Sequence, residues 1–155
     1  MTLKLETAML MAAGLGKRMR PLTATRPKPL IRVGGQPLID HALDRIEEAG
    51  ICRTVVNVHY LAGPIEAHLD SRARRTGAAY LVSDEREKLL ETGGGLVKAL
   101  PLLGDEPFLC AASDNLWLNG PYDAIHQLAA RWDDALMDVL LLMVPSVVQD
   151  GILMR

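Results

Sequence analysis

The stretch "TAMLMAAGLGKRMRPLTATRPKPLIRVGGQPLIDHALDRIEEAGICRTVVNVHY", residues 7–60, decides the fold. It begins with an apolar run, residues 7–13, which Gly14 ends, as expected of a buried strand that leads into a loop. After the loop, apolar residues recur at helical spacing from Leu38 to Ala49, and Gly50 is placed to end that helix. A β-branched run follows at once from Arg53. The stretch therefore predicts a strand, a loop, a helix and a second strand parallel to the first.

The same alternation continues through the rest of the chain. We predict helices at residues 64–69, 95–100 (stopped by Pro101) and 122–132, and strands at residues 78–83, 107–112 and 138–144. Strands alternating with helices indicate a single α/β domain over residues 1–155, with a mostly parallel sheet in a three-layer α/β/α arrangement. In such sheets ligands bind beyond the carboxyl ends of the strands. The segments after the first, third and fourth strands, "AAGLGKR", "EREKLLETGGG" and "SDN", are thus expected to converge.

Composition narrows the class of protein. Hydrophobic residues make up 49% of the 155 residues and charged residues 23%, which is typical of a globular domain. The net charge of −2 gives no general attraction to nucleic acid or to an anionic membrane. The apolar runs are too short to span a bilayer and the first residues lack a signal-peptide core, so we expect a cytoplasmic protein. Cys52 and Cys110 lie in apolar runs and are expected to be buried free thiols.

Positive charge is concentrated near the first loop. Residues 7–39 contain six basic residues and no acidic residue, so this window carries +6 and the remainder −8. A charge cluster is often only a solvated surface, but one in a loop rich in glycine and proline beside a strand favours contact with a small anion.

Two familiar phosphate-binding loops are excluded. The P-loop pattern requires a glycine where Met11 stands, and the dinucleotide-binding pattern requires a third glycine where Met19 stands. Pro21, Pro27 and Pro29 also prevent a regular helix from following the glycines. We expect an extended loop in which Pro27 and Pro29 hold Lys28 in an extended conformation. The tripeptide Pro27-Lys28-Pro29 by itself would also fit a surface turn with a solvated lysine.

The segment from "LMAAGLGKRMRPLTATRPKPL" to "GGQPLIDHALDRIEEAGI" resembles the sugar-1-phosphate nucleotidylyltransferases, whose signature is G-x-G-x-R-[ML]-x-P-L-T, then P-K-P-L, then G-[KQR]-P-[LM]-[IL]. Its later segment "LETGGGLVKALPLLGDEPFL" is most similar to the N-acetylmuramate-1-phosphate uridylyltransferase branch of that family. The resemblance covers roughly residues 7–145. It implies a Rossmann-like sheet of the nucleotide-diphospho-sugar transferase type.

The resemblance also implies a reaction and a site. A sugar 1-phosphate, N-acetylmuramate 1-phosphate, would attack the α-phosphate of a nucleoside triphosphate, UTP, and release pyrophosphate. Arg18 and Lys28 match the signature cations that act on the phosphates, and Asp114 matches the aspartate that holds Mg²⁺. The remaining matched positions would contact the nucleotide: Ala12, Ala13, Gly14, Gly16, Lys17, Asn57, Glu91, Thr92, Gly93 and Gly94.

Some of these positions also have ordinary structural interpretations. Thr92 followed by glycines could simply cap a helix, and a lone aspartate such as Asp114 more often serves a turn. The sequence departs from the family pattern at Ala112, where the uridylyltransferases tend to have asparagine.

Family members are commonly longer, so the resemblance implies that later strands, sugar-binding residues and a second metal-binding aspartate are missing. A sheet edge exposed in this way would favour self-association. The alternatives are a glucose-1-phosphate or mannose-1-phosphate nucleotidylyltransferase, a non-catalytic nucleotide-binding module, and an unrelated domain that binds NAD or FAD.

Overall fold

The computed structural model of the chain describes residues 3–143, 148–149 and 152–153. Its strands are β1 (Thr7–Met11), β2 (Arg32–Val33), β3 (Gln36–Pro37), β4 (Arg53–Val58), β5 (Ala79–Asp84), β6 (Leu109–Ala112), β7 (Val148–Gln149) and β8 (Ile152–Leu153). Its α-helices are α1 (Leu38–Glu48), α2 (Ala62–Thr76), α3 (Glu91–Leu103) and α4 (Ala124–Arg131). Residues 4–118 form one compact unit, and the described residues beyond 118 belong to a second. The single domain expected from the sequence stays a prediction.

The central feature of the first unit is a four-stranded parallel sheet in the order β5-β4-β1-β6. The chain moves outward from β1 through β4 to β5, and then returns to place β6 on the other side of β1. The predicted parallel α/β architecture is confirmed. The direction of strand addition reverses between β1 and β6, and this reversal is where a parallel sheet opens a crevice for a ligand.

Helices cover both faces of this sheet. On one face Ala99 and Leu103 of α3 pack against Met9 and Val55 of the central strands, and all four are buried. Leu10 and Val56 alternate with those residues along their strands and are also fully buried, as are the inner side chains of α1 and α2, among them Ile39, Leu43, Ile46, Ile65 and Leu69. The two innermost strands therefore carry apolar side chains on both faces, as buried parallel strands require.

Helix α1 follows the predicted pattern closely. Its buried apolar residues, Leu38, Ile39, Ala42, Leu43 and Ile46, recur every three or four positions and form one stripe. Gly50 follows with φ +84, the left-handed conformation that ends helices and that glycine adopts without strain. This helix returns the chain from the loop after β1 to the start of β4.

A buried arginine joins α1, α2 and β5. Arg72 of α2 is 4% exposed and donates through Nε to Glu47 Oε1 (2.9 Å) and through Nη2 to Asp44 Oδ1 (2.6 Å). Its Nη1 lies 3.2 Å from Asp40 Oδ1, and Nε also lies 2.8 Å from the Tyr80 hydroxyl on β5. Three carboxylates thus surround one guanidinium, so the arginine fixes the position of α2 against α1.

The third helix differs from the prediction at both ends. It begins at Glu91 rather than at residue 95, so its first five residues contain all three glycines, and Pro101 lies inside it rather than stopping it. Proline at position 101 removes only the hydrogen bond to Val97, near the end of the helix, and Gly104 (φ +87) ends the helix three residues later. The other helices are predicted in the right places, although α2 is longer than the predicted residues 64–69.

The predicted strand at residues 138–144 is wrong over the residues that the structure describes. Residues 138–143 form no strand, and Val139, Leu141, Leu142 and Met143 are exposed, while Val144 lies outside the described residues. A segment with high β propensity becomes a strand only where a neighbouring strand supplies hydrogen bonds and packing. In the described part of the chain, no sheet includes residues 138–143.

The expectation of buried thiols is also wrong. Cys52 and Cys110 are free, but both residues are exposed. Cys52 lies just before β4, and Cys110 lies on β6, which is an edge of the sheet and so is covered less completely than the strands inside it. Within the described residues, no helix is long and apolar enough to cross a membrane.

Candidate functional site

The carboxyl ends of the parallel strands open onto one cleft. The loop after β1, the residue pair after β6 and the first turn of α3 all contribute to an open cavity of about 420 Å³. Its lining comprises Met11, Ala13, Gly14, Leu15, Gly16, Lys17, Arg18, Met19, Lys28, Asn57, Leu89, Glu91, Thr92, Ala112 and Asp114. A recess of about 70 Å³ adjoins it, is lined partly by the same residues and adds Ala12, Pro29 and Ser113. The geometry therefore brings together nearly all of the positions singled out from the sequence.

The loop after β1 has a rigid internal scaffold. Gly16 has φ +61, and a Cβ atom there would lie 2.9 Å from Cγ2 of Thr23, so the position requires glycine. The buried Thr23 hydroxyl donates to the Gly16 carbonyl (2.8 Å), and the Tyr60 hydroxyl donates to the Thr23 carbonyl (3.1 Å). Gly14 faces open space instead, with nothing within 4 Å of its missing side chain. Thr23 and Tyr60, which the sequence did not single out, thus hold the loop against the end of β4.

Two single-turn 3-10 helices, Lys17–Met19 and Lys28–Leu30, carry the three cations of this loop that line the cleft. Lys17 and Arg18 are exposed on the cleft wall, whereas Lys28 is half-buried. The expectation that Pro29 would hold Lys28 in an extended conformation is wrong, because Lys28 opens the second of these turns and the extended residue is Pro27 before it. Both 3-10 turns therefore present their cations to the same cavity.

Lys28 and Asp114 form an ion pair across the cleft. The ammonium of Lys28, which follows β1, contacts Oδ2 of Asp114, which follows β6. The two side chains are 24% and 37% exposed, so solvent reaches both. Residues 86 positions apart in sequence therefore meet at the point where the strand order reverses. In total the cleft carries three cations and two carboxylates, Asp114 and Glu91.

Asn57 lies at the edge of the cleft but directs its amide inward. Its Oδ1 accepts from the Ala12 backbone N–H (2.7 Å), and its Nδ2 donates to Oε1 of Glu85 (2.8 Å). The second oxygen of Glu85, Oε2, accepts from the backbone N–H of Leu90 (3.0 Å). Asn57 and Glu85 are 1% and 0% exposed. The structure thus uses Asn57 as a link between elements, and the backbone N–H of Ala12, a position expected to contact the nucleotide, is engaged by Asn57.

The "ETGGG" segment is the first turn of α3 rather than a flexible loop. Glu91 and Thr92 line the cleft and are exposed, with Glu91 in a left-handed conformation (φ +60) that is unusual for a residue with a side chain. Gly93 and Gly94 lie in the helix and are not among the lining residues. Thr92 is the second helical residue, so it does not serve as the cap.

The apolar lining of the cleft could not be singled out from the sequence. Met11, Leu15, Met19 and Leu89 contribute half-buried side chains. Such residues carry no chemical signature, and only their position at strand ends and inside the glycine loop hints at a role. Together with Ala112 they give the cavity an apolar component of the kind that small-molecule sites use to bind flat rings.

The donor set suits a cation that is bound together with phosphate. Among the residues described, no cluster of three or more His, Cys, Asp or Glu side chains could hold a metal by itself. Asp114 supplies one partly exposed carboxylate beside three cations that attract phosphate groups. Mg²⁺ is commonly held by one or two carboxylates and by substrate phosphate oxygens, so these residues fit Mg²⁺ as a companion of a bound nucleotide.

Comparison with known proteins identifies a family and two similar enzymes. The profile of the nucleotidyl transferase family matches residues 7–149. An N-acetylmuramate alpha-1-phosphate uridylyltransferase of Caulobacter vibrioides is 50% identical over 139 residues, which is 89% of this chain and 57% of that protein. Its counterpart in Neisseria meningitidis serogroup B is 49% identical over 110 residues, 70% of this chain and 47% of that protein. The chain therefore spans about half the length of these curated relatives.

Solved structures agree on the architecture. A UDP-glucose pyrophosphorylase complexed with UDP-glucose superposes on this chain with a TM-score of 0.67 at 20% identity. The superposition covers 80% of this chain and 51% of that one. At this level of identity the similarity establishes the fold alone.

Proposed function

The chain belongs to the nucleotidyl transferase family, and from that premise we propose that it transfers UMP from UTP to N-acetylmuramate 1-phosphate and releases pyrophosphate. The observation that carries the proposal is the meeting of the basic glycine loop with Asp114 in one cleft, at the reversal of strand order. The relatives named for this activity support the choice of nucleotide and sugar. The expected location remains the cytoplasm, where nucleoside triphosphates are made.

In the proposed reaction a phosphate oxygen of the sugar 1-phosphate attacks the α-phosphorus of UTP. The bond from that phosphorus to the bridging oxygen breaks, and its electron pair leaves with pyrophosphate. Catalysis of this kind depends on alignment and on neutralising the negative charge around phosphorus. A Mg²⁺ ion held by Asp114 and phosphate oxygens would supply Lewis-acid stabilisation of that charge.

The chain's own cations have distinct tasks in this proposal. Arg18, exposed on the outer wall, binds the phosphates that depart, because its planar fork can hold two oxygens at once. Lys28, half-buried beside Asp114, neutralises the α-phosphate and the attacking phosphate. Lys17 adds positive charge near the entrance, and Glu91 and Thr92 on the opposite wall contact the nucleoside.

Calorimetry and a pyrophosphate-release assay test this proposal. The chain is titrated with UTP in Mg²⁺, and turnover is measured with N-acetylmuramate 1-phosphate, glucose 1-phosphate and mannose 1-phosphate against UTP, dTTP and GTP. Arg18→Ala and Lys28→Ala should each weaken UTP binding about tenfold or more, since each removes a charged contact worth about 1.5–3 kcal/mol. Arg26→Ala is the matched control, because Arg26 is an exposed cation of the same loop that does not line the cleft.

A non-catalytic nucleotide-binding module is the second candidate, because the three cations that line the cleft would attract a triphosphate whether or not turnover follows. It predicts UTP binding that depends on Arg18 and Lys28 without pyrophosphate release for any sugar phosphate. Turnover with glucose 1-phosphate or mannose 1-phosphate in preference to N-acetylmuramate 1-phosphate would instead change the proposed substrate. Absence of any triphosphate binding would contradict both candidates.

A further inference from the structure

A carboxylate that lies beneath the cleft, outside the set of expected site residues, connects the two walls of the cavity. Glu85 is completely buried, just after β5, and accepts two hydrogen bonds from groups on different elements. Asn57 Nδ2 donates to Oε1 (2.8 Å), and the backbone N–H of Leu90, at the start of α3, donates to Oε2 (3.0 Å). Because Asn57 Oδ1 also accepts from the Ala12 N–H (2.7 Å), one continuous chain of hydrogen bonds runs from the glycine loop to α3.

Helix α3 packs directly against Glu85 and Asn57 at Gly95. A Cβ atom at Gly95 would lie 2.6 Å from Glu85 Oε1 and 2.9 Å from Asn57 Nδ2. Any side chain at position 95 would therefore force the helix away from the pair or push the pair out of place. The depth at which α3 sits, and with it the position of Glu91 and Thr92 on the cleft wall, is set by Glu85 and Asn57.

We propose that Glu85 is a positioning residue that fixes the separation between the phosphate-facing wall, residues 12–18, and the nucleoside-facing wall, residues 89–92. The inference rests on the proposed nucleotide binding. A nucleoside triphosphate contacts both walls at once, so its affinity depends on the distance between them. Walls that are already held at the right distance lower the free-energy cost of binding. A carboxylate suits the role because each of its oxygens accepts one of these hydrogen bonds, whereas an amide would present a donor to one of the two N–H groups.

The hydrogen-bond pattern allows a rescue experiment. Glu85→Gln places an amide NH₂ against either Asn57 Nδ2 or the Leu90 N–H, and Asn57→Asp places two carboxylates together. The double variant can restore all three bonds: the new glutamine accepts from Leu90 and donates to the new aspartate, which still accepts from Ala12. UTP affinity in Mg²⁺ should fall about tenfold or more in each single variant and return to within about threefold in the double variant.

Two controls separate positioning from general stability. Glu87→Gln changes the same residue type two positions away at an exposed site and should leave affinity unchanged. Ile65→Val trims a fully buried side chain of α2, so it should lower the thermal midpoint without lowering affinity when measured where every variant is folded. A Glu85→Gln variant that binds UTP like the unsubstituted chain, or a double variant that recovers nothing, overturns the proposal.

Amide hydrogen exchange without nucleotide makes this test independent of the proposed function. In both single variants exchange should accelerate together in residues 12–18 and 90–94, and it should slow again in the double variant. If the unsubstituted chain binds no triphosphate, the proposed function fails for this chain while exchange still judges the coupling. Acceleration in only one segment, or in neither, overturns the inference.

Discussion

At Gly16 the backbone adopts φ +61 and the nearest side chain, Thr23, would lie 2.9 Å from an added Cβ. Gly16→Ala should therefore lower the free energy of unfolding by roughly 1–2 kcal/mol, because the left-handed conformation is strained for residues with a Cβ. It should also weaken nucleotide binding by displacing Lys28, whose Cβ lies 3.2 Å from the same position. Urea unfolding and calorimetry measure the two effects.

Gly14→Ala is the comparison for stability. Gly14 faces open space, so its substitution should change the free energy of unfolding by less than about 0.5 kcal/mol. If the loss of stability in Gly16→Ala were as small as that in Gly14→Ala, the loop would have moved to relieve the strain at Gly16.

The signature cations, the glycine loop and Asp114 were predictable from the sequence, and the apolar lining of the cleft and the buried Glu85 were not. Arg18, Lys28 and Asp114 follow strand ends in a recognisable pattern, and the structure brings all three to one cavity. Leu89 and Met19 line the same cavity, but an apolar residue beside a loop gives no sign of facing a ligand rather than the core. Glu85 was missed because a buried carboxylate cannot be distinguished from a solvated one without knowing its hydrogen-bond partners.

At the scale of elements, Arg72 carries the contact between α1 and α2. Arg72→Met should lower the free energy of unfolding by about 3 kcal/mol or more, because it leaves Asp40, Asp44 and Glu47 close together without their shared cation. Arg74→Met, at an exposed position of the same helix, should change it by less than about 0.5 kcal/mol. Chemical denaturation of the two variants side by side measures the difference. Similar small losses in both would show that the carboxylates reach solvent when the arginine is removed.

The same cluster predicts an acid-dependent loss of stability. Burial alone would raise the pKa of Asp44, but hydrogen bonds from Arg72 and Gln36, with the charge of Arg72, bring the pKa below its ordinary value of 3.8. The unfolded chain therefore takes up this proton at a higher pH than the folded chain does. The contribution of Asp44 to stability is complete above about pH 5 and is lost as the pH falls through the lowered pKa.

Urea unfolding between pH 7 and pH 3 checks this dependence. The free energy of unfolding should decline less steeply with acid in Arg72→Met than in the unsubstituted chain, since the substitution removes the main partner that lowers the Asp44 pKa. Parallel declines in both proteins would assign the acid sensitivity to other carboxylates.

Elements with a single strong periodicity were predictable, and elements whose form depends on distant contacts were not. Helix α1 shows its apolar stripe and its terminal Gly50 in the sequence itself. The first turn of α3 is poor in helix propensity because of its glycines, yet it forms because Gly95 packs directly on Glu85 and Asn57. Residues 138–143 have high β propensity and remain irregular, since propensity does not supply a partner strand.

At the scale of the whole molecule, β6 is an edge of the four-stranded sheet. Its outer backbone groups face away from β1, and an unprotected edge strand pairs readily with another chain. We expect sedimentation velocity to show association that grows with protein concentration. Cys110→Lys should reduce it, because a charged side chain on an edge strand opposes pairing.

The exposed thiols require a control for disulfide-linked dimers. Association through β6 should persist in reducing buffer and in Cys52→Ser, which removes the thiol outside the sheet. Association that disappears with reductant would point to the cysteines and away from the strand edge.

The ion pair between Lys28 and Asp114 has a kinetic consequence. Lys28 already has a counterion within the protein, so the field that extends into solvent comes mainly from the exposed cations of the loop, Lys17 and Arg18 on the cleft wall and Arg20 and Arg26 beside them. Under the proposed function, we expect an incoming polyanion to be attracted first by these exposed cations, at a rate that falls with ionic strength. Under the proposed function, the bound polyanion then has to take the place of Asp114 as the partner of Lys28. The proposed function therefore predicts two steps, a first attraction by the exposed cations and a later exchange in which Lys28 passes from one anionic partner to another.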